Sequence, residues 1–471
     1  MKAPLLPFEV EVVPDDAGVT ARAGLPLVVE TARALGLGAL VHEHVAVRQR
    51  DSGYTEADKV EVATLLIAGG GTCLDDVQVL ESDKGLLRLL GRTSLPSANA
   101  LRNFLYSFHD DKLIEKAQRE RPEGQVAYIP EENGPLRGLG QVNVDLVRRI
   151  DSLHPMTKAT LDHDATIIES HKKQALCHYE EGRGYQPSLI TWVEQDLIVA
   201  DEWRDGNVPA GMANLPTIQR GFAALPSTVT KRAFRADSAC YDERVLKWLA
   251  SPARTDEPGG PIGFTISADM TPQLRAACEA VPATGWTVLE ERPREIVACS
   301  EVEFTPGEWP KDARPLRYLA LRFEKRQRDL FQAPTVDKYL AVVTNREGAV
   351  ADLIRWHWEK AGTIEHVHDV MKNGLAAGTP PCGRFGANAA WHRLNVLTYN
   401  ALSAMKSHVL PPAYSTAEPK RLRHGVFTMA GRLVSHAGKL LLRVGQTAEQ
   451  VAGLLAARGN VSAMHARLSP A

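Results

Sequence analysis

The sequence predicts an α/β protein in which helices pack on a mixed β-sheet. Three short β-type runs, separated by Gly, Pro and charged turns, occupy roughly residues 158–205 and suggest a three-stranded meander. Alternating helical and β-type segments follow up to residue 268, and this order favours a mixed sheet with helices on it. At 471 residues the chain is long enough for two to four domains.

Composition and charge exclude several classes of protein. Apolar residues make up 44 % and charged residues 24 %, which is typical of a soluble globular chain. With 55 basic and 57 acidic residues the net charge is −2, so a generic polycationic binder is excluded, although local basic clusters are not.

The cysteines and the apolar runs point to a cytoplasmic protein. The six cysteines are scattered without a CxxC pair, so neither a zinc finger nor a disulfide framework is expected. The N-terminus carries acids and prolines where a signal peptide needs an apolar core. Since no run of about 18 apolar residues occurs, we expect no membrane partner.

Residues 1–140 are predicted to form a helical region that ends in a linker. Thr55 is a predicted N-cap with Asp58 at the third helical position, and Ser97 is the predicted cap of a later helix. Arg102 and Asn103 lie on the polar face of that later helix. Short helices with Gly-containing turns suit a helix-turn-helix-like DNA-binding module, although a helical subdomain that merely packs is an equal alternative. Residues 121–141 are rich in Pro, Gly and Glu, as linkers are.

The rest of the chain divides into four segments by pattern. Residues 141–269 form the first part of the sheet-containing core, and 346–410 form its second part around a long helix. Between them, 270–345 are predicted to be a separate β-rich insertion rather than a continuation of the sheet. Residues 411–471 form a basic tail with a hairpin around His436-Ala437-Gly438 and a final helix capped by Thr447.

Carboxylates occur at unusual places in the predicted core. Asp162 and Asp164 interrupt a strand and project from one face, where they need either water or a cation. Asp237 stands where a later strand gives way to a loop, and ligands collect at the carboxyl ends of parallel strands. Glu365 lies in the long helix, on the same face as Lys372. Each feature alone also suits an ordinary solvated face.

The order of these motifs resembles a family of known enzymes. The motifs are "LDHDAT", "GYQPSLITWV", "WRDGN", "FRADSACYDERVLKWL", "GTIEHVHDVMKN" and "AGRLVSHAGKLLLRV", spread over about residues 90–445. Together they are similar to DDE transposases of the insertion-sequence four superfamily, most of all to its thirteen-eighty branch. The resemblance implies a ribonuclease-H-like core with a β-rich insertion between the second Asp and the Glu.

The resemblance also assigns the site. It implies the catalytic and metal-binding triad Asp164, Asp237 and Glu365, with Asp164 preferred to Asp162 because it directly precedes a small residue and Thr. Glu365 and Lys372 stand at the Glu and Lys positions of the family's signature helix. Ala361 stands in the Arg place, with Lys360 beside it, and Trp358 stands in the Tyr place.

Further expectations follow from the same resemblance. The triad would hold two Mg²⁺ (or Mn²⁺) ions per site, and oxygen ligands suit these hard cations. Double-stranded DNA, both transposon ends and target, would be the partner of a homodimer associated with a bacterial nucleoid. The expected DNA contacts, including an aromatic that stacks on an extruded base, are Arg102, Asn103, Lys360, Lys372, Trp286 or Trp309, Lys420, Arg421, Arg423, Arg432, Lys439 and Arg443. A catalytically silent DNA-binding regulator and a metal-dependent nuclease remain alternatives.

Overall fold

The structure, a computed structural model, describes residues 18–48, 53–255, 260, 262–307, 309, 315–325, 338–445 and 447–469. The expectation for the first 16 residues lies outside this part. The helices of the described residues are α1 Pro26–Ala34, α2 Leu37–His44, α3 Glu56–Gly69, α4 Val77–Glu81, α5 Lys84–Leu89, α6 Ala98–Tyr106, α7 Asp111–Glu120, α8 Gly134–Leu153, α9 Asn214–Ala224, α10 Glu243–Leu249, α11 Pro272–Glu279, α12 Val350–Asp369, α13 Phe385–His408, α14 Pro419–Leu422 and α15 Ala448–Leu468.

The strands form three sheets in the described residues. They are β1 Val19–Thr20, β2 Lys158–Ala165, β3 Ile168–Glu169, β4 Leu176–Cys177, β5 Arg183–Tyr185, β6 Ser188–Trp192, β7 Leu197–Glu202, β8 Lys231–Ala236, β9 Ile262–Ala268, β10 Thr287–Glu291, β11 Glu295–Val302, β12 Arg317–Lys325, β13 Lys338–Thr344, β14 Gly431–His436 and β15 Lys439–Val444. None of the described helices has the length and apolar character needed to cross a bilayer.

The central sheet has a ribonuclease-H-like core, as predicted. Its nine strands have the order β10-β11-β12-β13-β9-β8-β2-β6-β7. The meander β2, β6 and β7 is antiparallel, whereas β8 and β9 run parallel to β2. The expected alternation of helix α9, strand β8, helix α10 and strand β9 is confirmed. The carboxyl ends of β2 and β8 therefore meet at one edge.

The prediction that residues 270–345 form a sheet of their own was wrong. Strand β13 pairs antiparallel with β9, so that β10–β13 extend the central sheet. Their buried face, which includes Val297, Leu319 and Val342, packs against Leu353 and Ile354 at the start of α12. The insertion therefore continues the core sheet because one helix covers both parts.

The predicted boundary at residue 140 falls inside a helix. Helix α8 begins at Gly134, capped by the side chain of Asn133, and ends only at Leu153. The linker is therefore limited to about residues 121–133, where the chain has no helix or strand. Helix α8 packs against α2, α13 and β7, so it joins the N-terminal helices to the core.

The C-terminal segment packs against the N-terminal helices rather than extending from the core as a tail. Strand β14 pairs with β1, and helix α15 packs against α1. The predicted hairpin β14–β15 and the capping box from Thr447 to Gln450 are both confirmed. The capping box at Thr55 and Asp58 and the Ser97 cap are present as well.

Candidate active site

Strand register brings Asp164 and Asp237 together. Strands β2 and β8 run parallel, and their last paired residues are His163 and Ala236. Asp164 and Asp237 are each the next residue, at the carboxyl ends of neighbouring strands. Residues at matched positions of a parallel pair project from the same face, so both carboxylates lie on the face covered by α12. Asp237 also caps the short turn Ser238–Cys240 by accepting the amide of Ala239 at 3.1 Å.

Helix α12 supplies the third predicted acid. Glu365 is exposed on the flank of α12, four residues before the helix ends. The chain then continues into a π-helical turn, Val370–Gly374, a feature frequent at functional sites. This turn directs Lys372 to the end of β2, where its ammonium lies 3.5 Å from the hydroxyl of Thr166.

Burial and the surrounding charges make Asp164 a weaker acid than an ordinary aspartate. The pKa of Asp164 is raised from 3.8 to about 6, chiefly by burial and also by the nearby charges of Asp237 and Glu365, while Lys360 opposes the shift. Lys360 is only 9 % exposed, and its ammonium lies 3.6 Å from Asp164 Oδ2. The three predicted acids are thus electrostatic neighbours, and Lys360 is the cation that balances them.

The donor set of this site suits a hard divalent cation. Carboxylate oxygens are the ligands preferred by Mg²⁺ and Mn²⁺, and the negative charges of Asp237 and Glu365 that act on Asp164 call for a balancing positive charge. In the part of the chain that the structure describes, however, no three acidic, His or Cys side chains stand close enough to ligate one ion as they are placed. The carboxylate oxygens therefore suit a divalent metal ion, although the side chains as placed do not form a complete set of ligands.

A buried ion pair lies directly beneath these acids. Asp162 is fully buried and accepts two hydrogen bonds from Arg235, Nε to Oδ1 at 2.7 Å and Nη2 to Oδ2 at 2.9 Å. Arg235 Nη1 also donates to Glu359 at 3.0 Å and to the carbonyl of Trp356 at 2.7 Å. Thr363 donates to Asp162 as well. This network joins β2, β8 and α12, the elements that carry the three predicted acids.

A second buried chain of hydrogen bonds lies on the opposite face of β2. The ring of His163 contacts Ser188 Oγ at 2.8 Å through Nε2 and Cys240 Sγ at 3.1 Å through Nδ1. All three residues are completely buried. Burial raises the pKa of the Cys240 thiol and lowers that of His163. This hydrogen-bonded network is therefore uncharged, and it attaches the turn after Asp237 to the strand that carries Asp164.

The family of the chain follows from a comparison with known proteins. A family model described as "Transposase DDE domain group 1" matches residues 6–462. The chain belongs to this transposase family. No curated protein matches it. A cryo-EM structure of a piggyBac transposase synaptic complex with hairpin DNA is similar over 87 % of this chain and 81 % of that chain, with 9 % sequence identity and a TM-score of 0.45.

The basic residues predicted to contact DNA in this transposase differ in their surroundings. On α6, Arg102 is partly exposed beside Asp75, 3.5 Å away, and Asn103 is exposed. In the C-terminal segment the exposed cations are Lys420, Arg421, Arg432, Lys439 and Arg443. The expectation for Arg423 is corrected, because its guanidinium donates to the carbonyls of Ile67 and Ala68, at the end of α3, at 2.9 Å each. It serves as a helix C-cap.

The expectation that Trp286 or Trp309 stacks on an extruded base also changes. Trp309 is only 8 % exposed within the core, so it is not placed to stack on a base. Trp286 is half-buried, with Tyr339 at 6.0 Å and the Arg322 guanidinium at 4.8 Å from its ring. Sequence reasoning missed Tyr179, which is 74 % exposed in the turn between β4 and β5. Desolvation, Glu180 and the charges of Asp164 and Asp237 raise its pKa, so this phenol is within electrostatic range of the two acids.

Proposed function

We propose that the transposase binds the terminal inverted repeats of its own insertion sequence and cleaves and joins DNA with Asp164, Asp237 and Glu365. The route would be cut-and-paste, with Mg²⁺ or Mn²⁺ as cofactor and two ions per site. The proposal places the chain in the thirteen-eighty branch of the insertion-sequence four superfamily and in the bacterial cytoplasm, on the nucleoid.

One observation carries this proposal. Asp164 and Asp237 follow the last paired residues of two parallel strands, and the charges of Asp237 and Glu365 both act on Asp164. Ligands bind at the carboxyl ends of parallel strands. Two separate buried networks also fix the two strand ends, as expected of a preorganised site.

The residues have distinct roles in this chemistry. Cleavage and strand transfer are in-line displacements at phosphorus, in which charge develops on the attacking and leaving oxygens. Bound divalent ions supply an activated water or 3′-hydroxyl and neutralise the leaving oxygen, and Asp164, Asp237 and Glu365 would hold them. Lys372, beside Thr166 at the strand end, would bind a neighbouring phosphate as a point charge.

DNA outside the catalytic site would be held by the exposed cations. Arg102 and Asn103 on α6 and Arg421, Arg432 and Lys439 in the C-terminal segment are proposed to contact the backbone. Such contacts position DNA without reading its sequence. Synapsis of two ends would require a homodimer, so that each protomer supplies one set of acids.

The proposal is tested by end cleavage. Purified protein is incubated with a labelled duplex that carries the terminal repeat flanking its gene, with and without Mg²⁺. We expect Mg²⁺-dependent nicks at the repeat, little competition by unrelated DNA, and loss of nicking in Glu365→Gln. Asp352→Asn, which removes an exposed acid from the same helix, is the matched control and should cleave normally. Cleavage by Glu365→Gln at the wild-type rate would exclude the assigned triad.

A second function is favoured by the position of Lys360. Its ammonium, 3.6 Å from Asp164, is a built-in counter-charge at the place where a cation would bind. A transposase-derived regulator that binds ends without cutting them would retain such an ion pair. The same assay separates the two functions, because the regulator would bind the repeat specifically and give no nick at any Mg²⁺ concentration.

A further inference from the structure

Three cations from distant parts of the sequence act electrostatically on Cys382. The thiol is half-buried before α13, and the charges of Lys172, Arg384 and Arg102 all act on it, against the burial that raises its pKa. Arg384 is exposed, and Lys172 and Arg102 are partly exposed. Among the described residues no carboxylate forms an ion pair with Lys172 or Arg384; Asp75 faces Arg102.

Packing contacts connect the segments that carry these cations. The Arg384 guanidinium lies 4.1 Å from the ring centre of Tyr106, one turn after Arg102 on α6. The side chain of Gln174, two residues after Lys172, lies so close to Gly383 that a Cβ there would be 2.4 Å from its Oε1. Contacts therefore join the loops that carry Lys172 and Arg384 to each other and to helix α6.

The same two loops begin at the candidate active site. One leaves the end of β2 after Asp164 and Thr166 and reaches Lys172 within a few residues. The other leaves the π-helical turn at Lys372 and reaches Arg384 before α13 begins. We define the Cys382 surface as Lys172, Arg384 and Arg102 together with that thiol. Two of its three cations, Lys172 and Arg384, thus lie on segments that lead directly from the predicted catalytic residues.

We propose that the Cys382 surface binds backbone phosphates of duplex DNA between the N-terminal helices and the catalytic acids. The proposal deepens the proposed function and rests on it. Basic side chains on three segments that pack together, two of them leading out of the proposed phosphodiester-cleaving site, match a DNA backbone better than a patch on another protein. Arg384 is held over an aromatic ring, which preorganises its planar guanidinium for a phosphate.

The test is the salt dependence of DNA binding. Each phosphate contact contributes about −0.9 to the slope of log affinity against log salt. We expect the double variant Lys172→Gln, Arg384→Gln to reduce the magnitude of that slope by about 1.8, for terminal-repeat and unrelated duplexes alike. Arg275→Gln is the matched control, because Arg275 is partly exposed on α11 and its ion-pair partner among the described residues is Glu279; it should leave the slope unchanged.

Alkylation of Cys382 gives a second measurement. In a Cys73→Ser, Cys177→Ser background the other exposed thiols are gone, and Cys240, Cys278 and Cys299 are buried. We expect duplex DNA to slow labelling of Cys382 by iodoacetamide in this protein, and less so after Lys172→Gln, Arg384→Gln.

An unchanged salt slope, or labelling that DNA does not affect, would overturn the proposal. Competition for the surface by an acidic protein rather than DNA would also overturn it. Failure of the proposed function looks different, since the wild type would then bind or cleave no terminal repeat. If the wild type cleaves normally and only these two measurements fail, the surface alone is disproved.

Discussion

Asp162 and Arg235 form a fully buried, bidentate ion pair, and each stands two residues before a predicted catalytic aspartate. Residues two apart on a strand share a face, so the pair lies one layer below Asp164 and Asp237. Arg235 also holds α12 through Glu359 and the carbonyl of Trp356. The two acids of β2 therefore have different roles. Asp162 holds β2, β8 and α12 in position, whereas Asp164 is proposed to bind the catalytic metal ions.

The first prediction separates those roles. Removing one partner of a buried pair leaves an uncompensated charge, which costs about 3–5 kcal/mol. Asp162→Asn should therefore lower the free energy of unfolding by that order, measured by denaturant titration, whereas Asp164→Asn should abolish cleavage with far less destabilisation. Equal stability of Asp162→Asn and wild type would contradict the positioning role.

The second prediction concerns the pH dependence of stability. Because burial raises the pKa of Asp164 from 3.8 to about 6, its contribution to folding is fully present below about pH 4 and is lost as pH rises through 6. An Asn at this position has no such loss. Without metal, the stability of Asp164→Asn relative to wild type should therefore increase between pH 4 and pH 7 by on the order of 3 kcal/mol. A difference that stays constant over this range would show that Asp164 is not perturbed.

The third prediction concerns Lys360. Its charge favours the ionised form of Asp164, 3.6 Å away. Lys360→Gln should therefore shift the acidic limb of the cleavage pH profile to higher pH. Lys372→Gln is the control, because its ammonium faces Thr166; it should weaken DNA binding and leave the limb in place. An unmoved limb in Lys360→Gln would exclude the proposed balance of charges.

The fourth prediction concerns the uncharged hydrogen-bonded network of Ser188, His163 and Cys240 on the opposite face of β2. Cys240→Ala removes the contact with His163 that holds the turn after Asp237, and outer-shell losses of this kind cost about 10–100-fold in activity or metal affinity. Cys240→Ser keeps a hydrogen-bonding group and should restore cleavage. Cys278→Ala, at another fully buried thiol, controls for lost volume. If Ser fails to rescue what Ala loses, packing rather than the hydrogen bond is responsible.

The sequence predicted the local parts of this structure well. The capping boxes at Thr55 and Thr447, the strand ending before Asp237 and the helix carrying Glu365 are each encoded by nearby residues. Helix α13 was not anticipated, because almost all of its side chains are buried and it shows no polar face from which a helical period could be read.

Other features depend on partners that a sequence pattern does not identify. The β-type pattern of residues 338–344 is the same whether β13 pairs with β9 or stays in its own sheet, so the extension of the sheet was not predicted. The partner of Asp162 is 73 residues away. Tyr179 was missed because a single tyrosine in a turn carries no signal in the sequence.

The role of Asp237 provides the most direct test of the account. The rate of Mg²⁺-dependent nicking is measured under single-turnover conditions on a labelled terminal repeat, for wild type, Asp237→Asn and Asp269→Asn. Asp269 is an exposed acid just after the neighbouring parallel strand β9. Metal catalysis contributes several kcal/mol, and about 1.4 kcal/mol is a factor of ten, so Asp237→Asn should be slower by roughly a thousandfold and Asp269→Asn should match wild type. Nicking by Asp237→Asn at the wild-type rate would contradict the catalytic assignment.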